Sequence, residues 1–182
     1  PRSAGILFPC GSEQFAPTHR GIFRPLLCGH KERILMLIDL HNHSWPLSGD
    51  SSIRPEVLVD FAKKRGLDGI CLTEHNAAPQ SSKMQALSDQ HEILVLPGME
   101  IGTDIGHVLV FGLRQYTPGM GRALELQKLV DAEGGAMILA HPLRSSGAAM
   151  GDLKISFDAF EVLNGSESAT SNSGARQWAT SL

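Results

Sequence analysis

Residues 35–44 read Leu-Met-Leu-Ile-Asp-Leu-His-Asn-His-Ser. The apolar run over 35–40 predicts a short buried strand. It breaks into a polar stretch in which His41 and His43 stand two residues apart. Alternate side chains on an extended chain point to the same side. Two imidazoles spaced in this way can grip one cation.

The same pattern recurs outward from this stretch. Residues 69–73 form a second apolar strand, broken by Glu74-His75-Asn76. Residues 93–96 form a third, closed by a tight turn at Pro97-Gly98, with Glu100 just beyond. His107 opens a strand over 108–111. Residues 136–140 end at His141-Pro142, and 159–163 form one more strand. Helices are expected between them. Pro55 suits a first helical position, and Val57, Leu58, Phe61 and Ala62 lie on one helical face. A weaker helix covers 81–88. A stronger one covers 123–132, with Leu124, Leu126, Leu129 and Val130 apolar and Gly134-Gly135 as its stop. Residues 166–173 read as a polar loop, and a last helix begins at 173. Strands alternating with helices predict an α/β fold with a parallel sheet.

Bulk properties narrow the function classes. The chain has 182 residues, 42% of them apolar, enough for one ordinary domain with a sizeable core. A net charge of −3 gives no support for a protein that coats nucleic acid or a membrane surface. No run of 18 apolar residues occurs, so no spanning helix is expected. Three scattered cysteines, Cys10, Cys28 and Cys71, without a CxxC pair, fit free thiols in a reducing, cytoplasmic compartment. Oligomeric state is not readable. Residues 1–35 stand apart, with proline at 1, 9, 17 and 25 and no sustained periodicity. They carry about +3, leaving about −6 for the rest. They are expected to be a leader or upstream-derived segment, with Met36 as the natural start and the domain over 36–182.

Six of the eight histidines follow Met36, and five of these six fall at strand edges or ends: His41, His43, His75, His107 and His141. Imidazole and carboxylate are good ligands for zinc, manganese or iron. In parallel α/β architectures, ligands gather beyond the carboxyl ends of the strands. One strand-end histidine is more often structural than a ligand, but five in series with Glu100 point to a metal site. His91 reads as a solvated loop residue. Glu74 points away from His75 and is expected either to support the site from behind or to be structural. Cys71 reads as a small buried hydrophobe.

In order and spacing, Asp39-Leu40-His41-Asn42-His43-Ser44, Ser48-Gly49-Asp50-Ser51, Thr73-Glu74-His75-Asn76, Pro97-Gly98-Met99-Glu100-Ile101, Ala140-His141-Pro142 and Glu161-Val162-Leu163-Asn164-Gly165 resemble the successive motifs of the PHP (polymerase and histidinol phosphatase) family. The resemblance runs from about residue 37 to the end and is specific only when the motifs are taken together. It implies a distorted (β/α)7 barrel and a metal-dependent phosphoesterase holding two or three divalent ions. By resemblance, His41, His43 and Glu100 would hold the first metal, and Asp50 and His75 the second. Glu100 would bridge to a third, completed by His107 and His141, and Asp39 would orient a histidine. The family's closing Gly-Ser-Asp-x-His-type motif is absent, since no Asp-x-His follows His141. A C-terminally incomplete barrel is therefore expected.

The implied reaction is attack on phosphorus by a metal-activated water, with Arg144 as a candidate phosphate clamp. The expected substrate is a small phosphorylated metabolite or nucleotide. Histidinol phosphate is a second candidate, and a non-catalytic metal-binding or regulatory module a third. A polymerase-linked role lacks both polymerase sequence and a basic stripe.

Overall fold

The structure, a computed structural model, describes residues 5–7, 15–17, 23–25, 36–144 and 155–181. Its main sheet has seven strands in the order β1 (Gly5–Leu7), β9 (Ala159–Leu163), β8 (Ala136–Leu139), β7 (Gly106–Phe111), β6 (Leu94–Thr103), β5 (Gly69–His75), β4 (Ile38–Asn42). β2 (Phe15–Pro17) and β3 (Phe23–Pro25) pair with each other. The helices are α1 (Pro55–Lys64), α2 (Ser81–His91), α3 (Ala123–Glu133) and α4 (Ala169–Ala179). Apart from the three short strands β1–β3, the expected leader over 1–35 lies outside the described residues.

The expected parallel sheet is found in part. β4, β5 and β6 run parallel, as do β8 and β9, but β7 is antiparallel to both its neighbours. Thr103 and Gly106 close a tight β6–β7 hairpin without an intervening helix. β6 also runs straight through Pro97-Gly98, where a turn was expected. Proline is tolerated because β7 pairs with β6 only from Met99 onward, so Pro97 has a strand neighbour on one side alone. The 166–173 segment is not all loop: Ser168 caps α4 by accepting a hydrogen bond from the Ser171 N–H. The helix therefore begins earlier than the apolar pattern suggests.

Strand parity sorts the side chains onto two faces. Met99 and Ile101 of β6 point outward into a core with Val108, Val110, Leu126, Val130, Met137, Leu139 and Phe160. Ile70, Leu72 and Val95 meet Leu58, Val59, Ala62, Met84 and Leu87 of α1 and α2. The buried face of α1 is thus turned by one residue from the expected one, and Val57 and Phe61 are exposed. Leu124 and Leu129 of α3 are likewise exposed. On the inner face Leu109, Ile138, Ala140 and Ala159 make a smaller apolar floor.

The sheet is strongly curled. From β4 to β9 there are five interstrand steps, about 24 Å if flat. Yet His41 Nδ1 on β4 lies 2.9 Å from Glu161 Oε1 on β9. The concave wall leaves little room. A Cβ on Gly98 would lie 2.8 Å from the Phe111 ring and 2.8 Å from Thr73 Cγ2. Gly98→Ala should therefore destabilise the fold by about 1–3 kcal/mol. Urea denaturation checks this, and an unchanged midpoint would contradict the packing described.

Candidate metal centre

The candidate ligands lie at inward-facing strand positions at one rim of the curled sheet or in the segments that follow the strands. His41 is the last residue but one of β4, His75 ends β5, Glu100 lies in β6, His107 is the second residue of β7, and His141 comes two residues after β8. His43 and Asp50 come from the loop after β4. The parity that directs Ile70 and Leu72 outward directs Glu74 outward too, and His75 inward.

Glu100 is fully buried at the centre. Its Oε1 lies 2.8 Å from His107 Nδ1 and 2.9 Å from His141 Nε2. Its Oε2 lies 2.9 Å from His43 Nε2, 3.1 Å from His75 Nδ1 and 3.3 Å from His41 Nε2. Burial alone would raise its pKa, but the imidazoles of His107, His141, His41 and His43 outweigh burial and hold it far below the carboxylate range. His41 is the reciprocal case. Burial would lower its pKa, but the Glu100 and Glu161 carboxylates raise it to about 10.

The Oε2 atom tests whether this set suits a cation. It is buried with no aligned hydrogen-bond partner, although three imidazole nitrogens stand within 3.3 Å. His41 Nε2 and His43 Nε2 are themselves 3.2 Å apart. Ligand atoms about 2.1 Å from a common ion, at tetrahedral or octahedral angles, stand about 3.0–3.4 Å from one another. The observed edges of the His41–His43–Glu100 triangle, 2.9 to 3.3 Å, match that spacing. Two further groups, His43–Asp50–His75 and His75–Glu100–His107, also bring their ligand atoms within 4.8 Å of one another. Asp50 Oδ2 is 3.1 Å from His75 Nε2 at the exposed rim. Its carboxyl lies below its ordinary range: burial raises it, but the His75 hydrogen bond and the charges of His43 and His75 prevail. Five of the expected ligands thus converge on Glu100, itself the sixth, and Asp50 joins them through His75, so that the residue set fits divalent cations.

The carboxylates behind the ligands carry equal weight. Glu161 Oε1 accepts from His41 Nδ1, so that Nε2 is the ring nitrogen turned to the cluster and the one that would give up its proton to a bound cation. Glu161 Oε2 accepts from the His141 backbone N–H, and Asn164 Nδ2 donates to both oxygens. Glu74 accepts from the Ser44 N–H and from the hydroxyls of Ser44 and Ser48. Ser48 Oγ, its proton given to Glu74, accepts from the His75 N–H and lies 3.2 Å from His43 Nδ1. His43 is thereby held with Nε2 inward. Asp39 contacts the His41 backbone, its Oδ1 accepting from the N–H. The supporting role of Glu161 was missed in the sequence. Its signal was a carboxylate inside the apolar strand 159–163, which requires buried partners.

His91 ends α2 and bonds Asp60 through Nδ1 at 2.8 Å, so it is not a solvated loop residue. Cys71 is buried. Burial and the Asp39 charge push its thiol up to about 12, so it packs as an uncharged small side chain. Arg144 borders a cleft of about 260 Å³ with His41, His43, Asp50, Asn164, Gly165 and Ser166.

The family model for the PHP domain matches residues 39–139. The chain belongs to the PHP domain family. The matched stretch holds six of the seven expected ligands, and His141 follows two residues after it. This PHP domain is 28% identical over 141 residues to an uncharacterized protein of Methanocaldococcus jannaschii, covering 71% of this chain and 82% of that protein. Among solved structures it resembles a two-domain protein from Bacteroides vulgatus containing a predicted PHP-like metal-dependent phosphoesterase. That likeness has 21% identity and a TM-score of 0.45, over 67% of this chain and 39% of the other. No described helix is long and apolar enough to cross a membrane.

Because Glu161 fixes the His41 ring, Glu161→Gln should weaken Zn²⁺ or Mn²⁺ binding about 10- to 100-fold. Competition with a chromogenic chelator measures this, and an unaltered affinity would remove Glu161 from the account.

Proposed function

We propose that this PHP domain is a phosphoesterase that hydrolyses a small phosphorylated metabolite or nucleotide with the help of two or three bound divalent ions of zinc, manganese or iron. We also infer that its curled sheet is part of a (β/α)7 barrel. The observation that carries the functional reading is Glu100, a buried carboxylate with imidazoles on both oxygens and one oxygen lacking an aligned partner. Burying such a charge without compensation is costly, and a bridging role between cations explains the arrangement.

His41, His43 and Glu100 would hold one ion. His43, Asp50 and His75 would hold a second. Glu100 would share a third with His75 and His107, with His141 beside the same oxygen. Bound there, divalent cations supply an acidified water and offset charge on the phosphoryl oxygens. Glu161 and Glu74 keep the rings of His41 and His43 oriented. Arg144 offers a guanidinium at the cleft mouth to receive phosphate oxygens. At about 260 Å³ the cleft is smaller than a drug-sized site and suits a phosphate with its nearest ester atoms.

Chelation followed by metal return, read on a panel of phosphoesters, tests the proposal. Turnover should vanish with chelator and return with Mn²⁺ or Zn²⁺. Undiminished turnover by metal-free protein, or none by the metal-loaded full-length protein, would overturn it. Arg144→Ala should raise KM about tenfold with metal content unchanged. Unchanged kinetics would remove Arg144 from the site.

A further inference from the structure

Arg144 stands at the cleft mouth in a defined setting. Its backbone N–H donates to the His141 carbonyl at 2.9 Å, so the turn that follows a candidate ligand carries it. Its Nε donates to Glu167 Oε1 at 2.5 Å. Glu167 lies on the corresponding turn after β9, where its N–H donates to the Asn164 carbonyl at 3.2 Å. Asn164 in turn donates to Glu161, the carboxylate behind His41. The Arg144–Glu167 pair therefore ties the two turns together across the cleft.

Two features separate this pair from an ordinary surface ion pair, whose contribution is about 0–1 kcal/mol. The Glu167 side chain is only 16% exposed, against 41% for Arg144. Its second oxygen accepts from Ser171 Oγ at 2.9 Å, so the carboxylate is fixed from two sides. The Arg144 hydrogen bond, with a smaller contribution from Ser171, lowers the Glu167 pKa. A guanidinium has five N–H donors in a rigid plane. Holding it by Nε fixes that plane and leaves its terminal amino groups to face other acceptors.

We propose that Glu167 is a positioning residue: through its bond to Nε it holds the Arg144 guanidinium over the metal cleft, oriented to take a substrate phosphate. The inference rests on the phosphoesterase reading. With Glu167 in place, Arg144 binds phosphate without first losing the freedom of a long side chain. Without it, the guanidinium swings into solvent.

The test compares Glu167→Ala, Glu167→Asp, Arg144→Ala and the double variant in the full-length, metal-loaded protein. KM and kcat are read with p-nitrophenyl phosphate, and inorganic phosphate binding by calorimetry. Glu167→Ala should raise KM and the phosphate Kd about tenfold, with kcat within about threefold and metal content unchanged. Glu167→Asp should recover part of the loss. The double variant should be no worse than Arg144→Ala alone, because the two residues act as one unit. Unchanged or tighter phosphate binding by Glu167→Ala, or additive losses in the double variant, would overturn the proposal. The two readings fail separately. Absence of wild-type turnover counts against the phosphoesterase, whereas phosphate binding still reports on Glu167.

Discussion

Glu100 sits at the middle of a curled sheet, wholly out of solvent, and the imidazoles of five histidines converge on its two oxygens. An isolated carboxylate in that position would be prohibitively desolvated. The rings must therefore come close, and they arise from three different strands and from the segments that follow β4 and β8. Only a sheet that curls can bring β4 and β9 to the same point. Curl, parity and the apolar floor of Leu109, Ile138, Ala140 and Ala159 are thus linked to the placement of one charge.

The ring orientations depend on a second layer of negative charge. Glu161 takes the far nitrogen of His41, and Glu74 acts on His43 through Ser48. These two carboxylates come from opposite faces of the sheet. Glu161 points inward with its strand's parity, and Glu74 points outward toward the loop after β4. The same loop supplies His43 and Asp50, so Glu74 fixes its path and its ligands together. A neutral ring with its inner nitrogen unprotonated is the form that binds a cation.

Much of the candidate site could be read because its residues end apolar runs. His41, His75 and His141 mark where hydrophobic periodicity stops, and that signal survives without knowledge of the fold. Strand positions were legible for the same reason, including 159–163 to the residue. Pro97-Gly98 misled because proline usually ends a strand, whereas here a missing second neighbour removes its cost. The antiparallel β7 was hidden because a two-residue hairpin and a crossover look alike in a short apolar run. Glu161 and Glu167 escaped because their roles depend on partners at |i−j| of 120 and 23, which local pattern does not encode. The start of α4 was obscured because a serine cap and a polar loop share composition.

The central claim is that Glu100 and its imidazoles form a cation-binding unit rather than a set of direct ion pairs. Anomalous diffraction from crystals of the full-length protein grown with Mn²⁺ or Zn²⁺ tests this most directly. The account predicts a peak about 2.1 Å from Glu100 Oε2 and from the Nε2 atoms of His41 and His43. Crystals that show no anomalous peak there, with the imidazoles still hydrogen-bonded directly to Glu100, would contradict it.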